Sequence, residues 1–421
     1  GIDPLVIGYI SEEPDYKRIY SLIARIGIDP DLIDDRKIRT LSGGEKVKIA
    51  LLKILYEDPD ILLLDEPTND LDLKTLIWLE EFISGCPKAM IFVSHDETLL
   101  ENCANGILHL EQLKHKKEAH MTYSGSSYHD YVRDRTAFIS RNNAIAAKQK
   151  AQFNIQLEKW RQVYQKVEHA QATISRGDPH GGQLLKKKMR ALKAQGRNLD
   201  ARKEQMRKVY EPEEAINVFF EDLRINPDKI ILDMHLDQLK TEDKVLAERI
   251  DLRVLGKDKI CIIADNGKGK STLMRCIVKE LSQREDINIG YMPQDYDEVM
   301  DPSLTPIEYL WDGKRMEEKG KIGQYLGALK FTSEEMEHEI GALSQGQRCK
   351  ILLVKMILDR CDVLLLDEPT RNLSPLSNPR IRKILCDYQG TIISVSHDRK
   401  FIEEVADKVY ELSSEGLRLL D

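Results

Sequence analysis

The chain has 421 residues, of which 41% are hydrophobic and 32% charged, and its formal net charge is −8. No apolar run approaches the roughly 18 residues that a membrane-spanning helix needs, so a helical membrane protein is not expected. The seven cysteines show no CxxC or Cys/His ligand spacing, which predicts reduced thiols rather than disulfides or metal ligands. We therefore expect a cytoplasmic protein of two to three domains. Because the chain begins with Gly1 rather than Met, we expect its native start to lie upstream.

Positive charge is concentrated in one segment. Residues 133–208 hold 19 Lys and Arg against 6 Asp and Glu, a local net charge of +13, whereas the rest of the chain sums to −21. A solvated helix face, the usual explanation of a charge run, normally mixes both signs more evenly. A basic segment between two acidic bodies favours a polyanionic partner such as nucleic acid.

The first part of the chain carries three short motifs. Leu41-Ser-Gly-Gly-Glu45 precedes the apolar run Ile61–Leu64, and Val93-Ser-His-Asp96 follows it. The apolar run is typical of a parallel strand buried on both faces, and it ends in Asp65-Glu66. The C-terminal ends of such strands are where α/β folds bind ligands. Capping of a following turn is the structural alternative for these acids.

The basic segment has a helical pattern. Apolar side chains recur at 3/4 spacing in two stretches, namely Phe153, Leu157, Trp160, Tyr164, Val167 and Ile174, then Leu185, Met189, Leu192, Leu199 and Met206. Turn residues fill Ser175–Gly182, so we expect an antiparallel two-helix hairpin whose first helix, from about Arg135 to Ser175, is on the order of 60 Å long. The apolar stripes should form the seam of the hairpin. Its basic faces, including Lys186-Lys-Lys-Met-Arg190, remain for a phosphate backbone.

A phosphate-binding loop follows the linker. The strand-like Lys259–Ile263 leads into Ala264–Thr272 and the helix-like Leu273–Leu281. Small residues let backbone N–H groups surround a phosphate, and the helix N-terminus adds a positive dipole end. Lys270 can reach the outer phosphates and Ser271 can hold Mg²⁺. The residues expected to surround the nucleotide phosphates are Asn266, Gly267, Lys268, Gly269, Lys270, Ser271 and Thr272.

The chain repeats itself. Leu41–Glu45 recurs as Leu343-Ser-Gln-Gly-Gln347, and the run ending in Asp65-Glu66-Pro-Thr68 recurs with Asp367-Glu368-Pro-Thr370. The Ser-His-Asp motif recurs too, with His397 in the place of His95, and all three pairs are offset by 302 residues. Ordered matches at one offset indicate a duplicated domain.

The duplicated acids and histidines predict a division of labour. Asp367 would orient Mg²⁺, and Glu368 would polarise an attacking water. A lone histidine is usually structural, but duplicated spacing favours a γ-phosphate contact for His95 and His397. The Ser-His-Asp order does not indicate a hydrolase triad, because adjacent residues on a strand point to opposite faces.

Together with Gln294, these motifs resemble the ABC superfamily, and within it the ABC-F group, which has twin cassettes, a basic helical linker and no membrane segments. The resemblance implies an α/β fold with two P-loop nucleotide-binding domains joined by an α-helical coiled-coil hairpin. We expect a first cassette at residues 1–122, the linker at 123–215 and a second cassette at 216–421. A further match, Ile7-Gly-Tyr9 with Ile289-Gly-Tyr291, has an offset of 282 and would put the counterpart of Lys270 twelve residues before Gly1. The first cassette is therefore expected to lack its N-terminal part and its phosphate loop.

The resemblance also implies that the cassettes enclose two ATP molecules head to tail. One site would combine Lys270, Ser271, Gln294, Asp367, Glu368 and His397 with Ser42, Gly43, Gly44, Glu45 and Asp72 of the other cassette, and Ser271, Gln294 and Asp367 would hold Mg²⁺. The other site would use Asp65, Glu66 and His95 with Ser344 and Gly346. Glu12, Gln345 and Ser374 depart from the family pattern there, which predicts a slower second site. No aromatic residue stands near Leu239–Thr241, where many members stack the adenine.

The implied function is an ATPase that acts on the ribosome through residues 133–208, contacting rRNA and the P-site tRNA, either as a translation factor or in antibiotic ribosome protection. Two alternatives remain open. The motor of an exporter with separately encoded membrane domains would not need a long basic hairpin. In DNA-maintenance ATPases the coiled coil interrupts a cassette rather than lying between two.

Overall fold

The computed structural model describes residues 5–33, 36–69, 71–113, 118–173, 179–210, 218–220, 225–241, 244–311, 313 and 316–420. The chain divides into two compact units, one formed by Gly1–Asn105 with Glu213–Asp421 and the other by Gly106–Pro212. The first unit holds elements of both cassettes, and the second holds the basic segment with a short β-hairpin. The predicted domain boundaries at residues 122 and 215 remain a proposal.

The first cassette consists of helices around a two-stranded parallel sheet. Its elements are α1 (Val6–Ile10), α2 (Tyr16–Ile26), α3 (Gly43–Tyr56), β1 (Ile61–Asp65), α4 (Leu73–Gly85), β2 (Ala89–Val93) and α5 (Glu97–Cys103), with 3₁₀ turns at Pro30–Leu32 and Ile38–Thr40. Aspartates cap three of these helices, since Asp15, Asp72 and Asp96 accept backbone N–H groups at the starts of α2, α4 and α5. These caps fix where α2, α4 and α5 begin, and the cap at Asp96 recurs in the second copy as Asp398.

One expectation for this cassette is wrong. β1 was expected to be buried on both faces, but Ile61 is 56% exposed and Leu63 is 72% exposed. Leu62 and Leu64, which point to the opposite face, are buried among residues of α3 and α4. Among the described residues β1 pairs with β2 alone, and no helix covers the other face. The apolar run therefore reflects a strand of which only one face is packed here.

The second unit contains β3 (Ile107–Leu113), β4 (Glu118–Ser124), α6 (Tyr128–Thr173) and α7 (Pro179–Gln205). β3 and β4 pair antiparallel. α6 begins earlier than the expected Arg135, because the Ser127 hydroxyl accepts the backbone N–H of Asp130 and donates to its carboxylate. Of the expected turn at Ser175–Gly182, residues 175–178 lie outside the described residues. The expectation is wrong for the rest, because Pro179–Gly182 form the first turn of α7.

The seam of the hairpin is confirmed. Buried Val167, Met189 and Leu192 pack together with Trp160, Tyr164 and Leu185. Trp160 Nε1 donates to the carbonyl oxygen of Leu192 at 2.9 Å. Gly196 gives the indole room, since a Cβ there would lie 2.9 Å from the ring. Lys186, Lys187, Lys188 and Arg190 are all exposed.

The second cassette is built around a six-stranded sheet. Its elements are β5 (Ile230–Lys240), β6 (Val245–Leu255), β7 (Lys259–Ile263), α8 (Lys270–Leu281), β8 (Ile289–Met292), α9 (Pro306–Leu310), α10 (Met316–Ala328), α11 (Ser333–Glu337), α12 (Gln345–Leu358), β9 (Val363–Asp367), α13 (Asn378–Asp387), β10 (Thr391–Val395), α14 (Arg399–Val405), β11 (Lys408–Ser413) and β12 (Gly416–Leu420), with 3₁₀ turns at Tyr296–Glu298 and Ile340–Ala342. The strand order is β12-β11-β7-β10-β9-β8, and β5 pairs with β6 in a separate hairpin.

The neighbours β7, β10 and β9 are parallel, so their C-terminal ends lie along one edge of the sheet. β9 and β10 are buried at every position, as expected for strands covered on both faces. Two apolar clusters fill the two sides of this sheet, one of them including α8 and the other α12. The described elements thus confirm the predicted α/β fold and helical linker.

Candidate functional site

The loop between β7 and α8 has the backbone conformation of a phosphate cradle. Gly267 and Gly269 have φ of 74° and 96°, a left-handed conformation that favours glycine. A Cβ on Gly269 would also lie 2.8 Å from Leu246. Gly269 is the N-cap of α8 and has no side chain to satisfy the first N–H groups of the helix. Those groups and the helix dipole favour an anion at this point.

Lys270, the first residue of α8, folds over the same loop. Its Nζ donates to the carbonyl oxygen of Ala264 at 2.8 Å and to Oδ1 of Asn266 at 3.3 Å. Burial lowers the pKa of Lys270, while the nearby carboxylates of Glu368 and Asp367 oppose the shift. A half-buried ammonium group held by neutral oxygens can exchange them for phosphate oxygens.

Asp367 ends β9 beside the loop. It is 3% exposed, and the Ser271 hydroxyl donates to its carboxylate. Burial raises the pKa of Asp367, and the hydrogen bond from Ser271 acts in the opposite direction. A carboxylate paired with a hydroxyl is a donor set of the oxygen type that Mg²⁺ prefers.

Glu368 follows on a strained backbone. Its φ is 52°, and its N–H donates to the carbonyl oxygen of Val395 at 2.9 Å, which ties the turn to β10. Burial raises the pKa of Glu368 to about 7, with the charge of Asp367 adding to the shift and a backbone hydrogen bond from His397 reducing it. A carboxylate with a pKa near neutrality is suited to proton transfer.

His397 lies beside Glu368 with its ring in a buried position. The side chain is 14% exposed, and Nε2 is 3.9 Å from Oε1 of Glu368, too far for a hydrogen bond. Burial, with the charge of Lys270, lowers the pKa of His397 to about 4, so the ring is neutral at pH 7. Neither ring nitrogen has a hydrogen-bond partner in the described part of the chain, and Oδ1 of Asn378 is also unsatisfied. Buried polar atoms without partners indicate a polar ligand.

These side chains surround a cavity of about 420 Å³. The second cassette contributes Asn266, Gly267, Gly269, Lys270, Ser271, Thr272, Gln294, Asp367, Glu368, Thr370, Asn378, His397 and Asp398, among others. The first cassette contributes Thr68, Asn69, Leu71, Leu76, His95, Asp96 and Glu97. Of the expected nucleotide-binding residues in this loop, Lys268 is absent from the lining and is exposed.

The first copy repeats the geometry of Glu368 and His397 in a more exposed form. Glu66 also has a positive φ, 44°, and its Oε2 accepts the backbone N–H of His95 at 3.3 Å. His95 Nε2 lies 3.2 Å from Oε1 of Glu66, and its side chain is 46% exposed. The structure places His95 on the wall of the 420 Å³ cavity, whereas Asp65 and Glu66 do not line it.

The structure does not bring the signature residues of the first copy, Ser42 to Glu45, to the wall of the cavity. Ser42 caps α3 through a capping box in which Oε2 of Glu45 accepts the Ser42 N–H at 2.7 Å. Glu45 also pairs with Arg36, so its carboxylate serves the helix start and not the cavity. Gly43 begins α3, and a Cβ on Gly44 would lie 2.5 Å from Oγ1 of Thr75. Gly44 thus allows α3 to approach α4 closely.

Asp72 reaches the other cassette. Although burial acts against it, hydrogen bonds from Thr75 and from the backbone N–H of Asn266 hold the pKa of Asp72 below its usual value. Two residues on, Lys74 Nζ lies 3.2 Å from Oδ2 of Asp265. The start of α4 is therefore attached to the phosphate loop at two points.

The second copy of the signature is similar to the first. Ser344 caps α12 through a capping box with Gln347 and is exposed. A Cβ on Gly346 would lie 2.7 Å from the carbonyl oxygen of Asn372. The structure does not bring Ser344 or Gly346 to the 420 Å³ cavity.

The chain is similar to known proteins in sequence and in fold. The ABC transporter family model matches residues 8–69 and 247–371. The chain is 31% identical to the ribosome protection protein VmlR of Bacillus subtilis, over 91% of this chain and 70% of that protein. It is 28% identical to ABC transporter F family member 5 of Arabidopsis thaliana, over 94% of this chain and 54% of that protein.

The chain belongs to the ABC-F group of the ABC ATPases. It spans about half the length of the Arabidopsis relative. Its fold is also found in the archaeal ribosome recycling factor aABCE1, solved in complex with the stalk protein aP1. That structure has a TM-score of 0.57 at 17% identity and covers 99% of this chain and 70% of its own. None of the described helices combines the length and the apolar character that crossing a membrane requires.

ABC domains bind ATP, and the residues of this ABC-F cavity fit that ligand. Lys270 and the start of α8 provide the positive end for the phosphates, and His397 and Asn378 offer polar atoms that have no partner among the described residues. Ser271, Gln294 and Asp367 all lie on the cavity wall, where they could hold Mg²⁺.

Several residues that line the cavity were not predicted from the sequence. Thr68 and Thr370 close the duplicated Asp-Glu-Pro-Thr motif, so their repetition was a usable signal. Thr370 Oγ1 donates to Oδ2 of Asp398 at 2.8 Å, which orients the residue that follows His397. Asn378 begins α13 outside every repeated motif, and no sequence pattern points to it.

Proposed function

We propose that this ABC-F chain binds ATP with Mg²⁺ in the 420 Å³ cavity and hydrolyses it to ADP and phosphate. The observation that carries the proposal is the pair formed by Glu368 and His397. A buried carboxylate whose pKa is raised to about 7 lies beside a neutral imidazole with no hydrogen-bond partner among the described residues. Glu368 would accept a proton from the attacking water, and His397 would donate to the γ-phosphate.

Other residues of the cavity have supporting roles in this proposal. Lys270 and the N-terminus of α8 would bind the phosphates, as would Thr272 and the backbone of Asn266, Gly267, Lys268 and Gly269. Mg²⁺ held by Ser271, Gln294 and Asp367 would neutralise phosphate charge. Asp72 would hold the phosphate loop from the other cassette, and Ser42, Gly43 and Gly44 would approach the nucleotide when the cassettes close further.

We further propose an altered site at the first copy. It would use Asp65, Glu66 and His95 with Ser344 and Gly346, and Glu12, Gln345 and Ser374 would make it the slower of the two. These three departures from the family pattern all fall on the same site, which supports the asymmetry.

We propose that ATP turnover serves the ribosome, which would place the protein in the cytoplasm. Two observations support this partner. The net charge of +13 lies on residues 133–208, and the apolar stripes of the hairpin are used in its own seam, so the exposed side chains Lys186, Lys187, Lys188 and Arg190 are left for phosphates. The relative VmlR is named a ribosome protection protein. The contacts would be made with rRNA and the P-site tRNA, in translation control or antibiotic ribosome protection.

The test uses Glu368→Gln, which removes the proton acceptor and keeps the phosphate-binding residues. With purified ribosomes and ATP, this variant should co-sediment more strongly than wild type, because the ATP-bound state accumulates. A wild-type rate of ATP hydrolysis by the variant would contradict the role of Glu368. Loss of hydrolysis without any ribosome association at low salt would contradict the ribosome as partner and leave the ATPase standing.

A further inference from the structure

Two arginines of the second cassette, Arg382 and Arg399, form ion pairs with glutamates of the first. Glu97 and Arg382 are almost fully buried, with side chains 6% and 3% exposed. Arg382 Nη1 donates to Oε1 of Glu97 at 2.7 Å, and Nη2 donates to Oε2 at 3.3 Å. In the second pair, Arg399 donates through both terminal nitrogens to Glu80. Both arginines therefore bind a carboxylate with two hydrogen bonds, a geometry that is specific as well as strong.

The two pairs are related by the internal repeat. At the offset of 302, Glu80 corresponds to Arg382 and Glu97 corresponds to Arg399. The contact of Glu80 with Arg399 is therefore the counterpart of the contact of Glu97 with Arg382. Equivalent positions meet twice, as they do across a two-fold axis. Asp96 and Asp398, which are equivalent as well, each cap their own helix, α5 or α14.

Charge, however, does not follow this symmetry. The first copy has glutamate at both paired positions, Glu80 and Glu97, and the second copy has arginine at the equivalent positions, Arg382 and Arg399. A further pair has the same polarity, since Lys400 Nζ lies 2.5 Å from Oε1 of Glu101 and 3.4 Å from Oε2 of Glu97. Glu404 is an acid on the basic side, but it is half-exposed and its contact is with Arg382 of its own cassette. We call these residues, Glu80, Glu97, Glu101, Arg382, Arg399 and Lys400, the polarised seam.

We propose that the polarised seam determines which cassettes pair, so that a first cassette accepts only a second cassette. A pairing of two first cassettes would put Glu80 against Glu97 twice, and a pairing of two second cassettes would put Arg382 against Arg399 twice. Like charges buried without compensation are strongly unfavourable. The surface thus fits the opposite cassette and rejects an identical one.

Three full-length variants test the proposal. The basic variant carries Glu80→Arg, Glu97→Arg and Glu101→Lys. The acidic variant carries Arg382→Glu, Arg399→Glu and Lys400→Glu. The exchange variant combines all six changes with Glu404→Arg, so that each ion pair of the seam is reversed in sign and kept.

The basic and acidic variants have two like-charged sides each, so each should be a monomer whose cassettes separate. When the two variants are mixed, each cassette of the basic variant can pair with a cassette of the acidic variant, and a 1:1 dimer should form. Light scattering should give the mass of one chain for each variant alone and of two chains for the mixture. Small-angle scattering should show the separate variants to be more extended than wild type. Separate variants as compact as wild type, with no dimer in the mixture, would overturn the proposal.

The exchange variant keeps the test decisive if buried like charges prevent the other two from folding. Its complementary pairs should make it a folded monomer as compact as wild type. An exchange variant that is unfolded, or as extended as the single-sign variants, would show that charge complementarity does not govern the pairing. Wild type mixed with either variant serves as a control for nonspecific association, which should fall with salt.

Discussion

Oε2 of Glu368 accepts the backbone N–H of His397 at 3.2 Å, although the two residues belong to different strand ends. The contact holds the carboxylate in a buried position next to an imidazole, and the first copy repeats it between Glu66 and His95 at 3.3 Å. The parallel pairing of β9 with β10 thus places the carboxylate of Glu368 and the ring of His397 side by side.

Because Glu368 is buried, the free energy of unfolding should depend on pH. The pKa of Glu368 is raised to about 7 in the folded protein, so between pH 4.5 and pH 7 the folded state keeps a proton that the unfolded chain releases. Ionised Glu368 therefore destabilises the fold increasingly up to pH 7. Without nucleotide, Glu368→Gln should raise Tm relative to wild type by a few degrees at pH 8 and by less at pH 5. Thermal scans of Glu415→Gln, an exposed site, provide the control. An equal Tm difference at both pH values for Glu368→Gln would contradict the prediction.

The two histidines should differ in their effect on hydrolysis. His397→Ala removes a buried imidazole aimed at the cavity, and we expect kcat to fall by about 10²-fold, as for other preorganised donors. His95→Ala removes an exposed ring at the equivalent position and should lower kcat by less than about 10-fold. Steady-state assays at saturating ATP and Mg²⁺ measure both, and equal losses would show that the two copies contribute alike.

Titration of His397 should not contribute to the dependence of kcat on pH. Its pKa is lowered to about 4 by burial and by the charge of Lys270, so the ring is uncharged between pH 6 and pH 8. We expect the limb of the kcat profile between pH 6 and 8 to report Glu368 instead, with activity rising as the carboxylate ionises. A profile in which activity falls as pH rises through 6.5 would indicate that a protonated imidazole is needed.

Ribosome binding should depend on Lys186, Lys187, Lys188 and Arg190 of α7, which we call the basic tip of the hairpin. Reversal of Lys186, Lys187, Lys188 and Arg190 to Glu should weaken co-sedimentation by at least about 10-fold and flatten its dependence on salt, because fewer counterions are released. A matched control reverses three lysines and one arginine that are exposed on the cassettes, Lys17, Lys279, Lys383 and Arg418. If the control reversal weakens binding as much as the tip reversal does, net charge and not the hairpin governs association.

The seam of the hairpin can be tested with one matched pair of variants. Leu192→Asp places a charge in the buried cluster with Val167 and Met189 and should unfold the hairpin. Leu184→Asp changes a leucine that is 64% exposed on the same helix and should leave it folded. Protease sensitivity of residues 128–205 reports the outcome. Equal sensitivity of the two variants would mean that Leu192 does not stabilise the hairpin.

Local patterns predicted much of this structure. The duplicated motifs located the ends of β9 and β10, and with them Asp367, Glu368 and His397. The 3/4 spacing predicted the contact between Trp160 and the second helix of the hairpin. Both kinds of inference succeed because the information lies within a few residues of sequence.

Features that depend on distant neighbours could not be predicted. The exposure of Leu63 is set by what covers β1, which the composition of the strand does not reveal. Asn378 faces the cavity only because α13 begins there. Arg382 and Glu97 are 285 positions apart, and many other charged residues would have been equally plausible partners.

The polarised seam bears on how a duplicated gene diverges. Two identical cassettes could also form both ion pairs. Each copy would need glutamate at the position shared by Glu80 and Arg382 and arginine at the position shared by Glu97 and Arg399, so that each copy offers one charge of each sign. Two substitutions, one in each copy, convert that arrangement into the present one. After both, a half can no longer associate with its own kind. The two halves would then work only as a pair, and a substitution that slows one nucleotide site could be tolerated while the other site stays active.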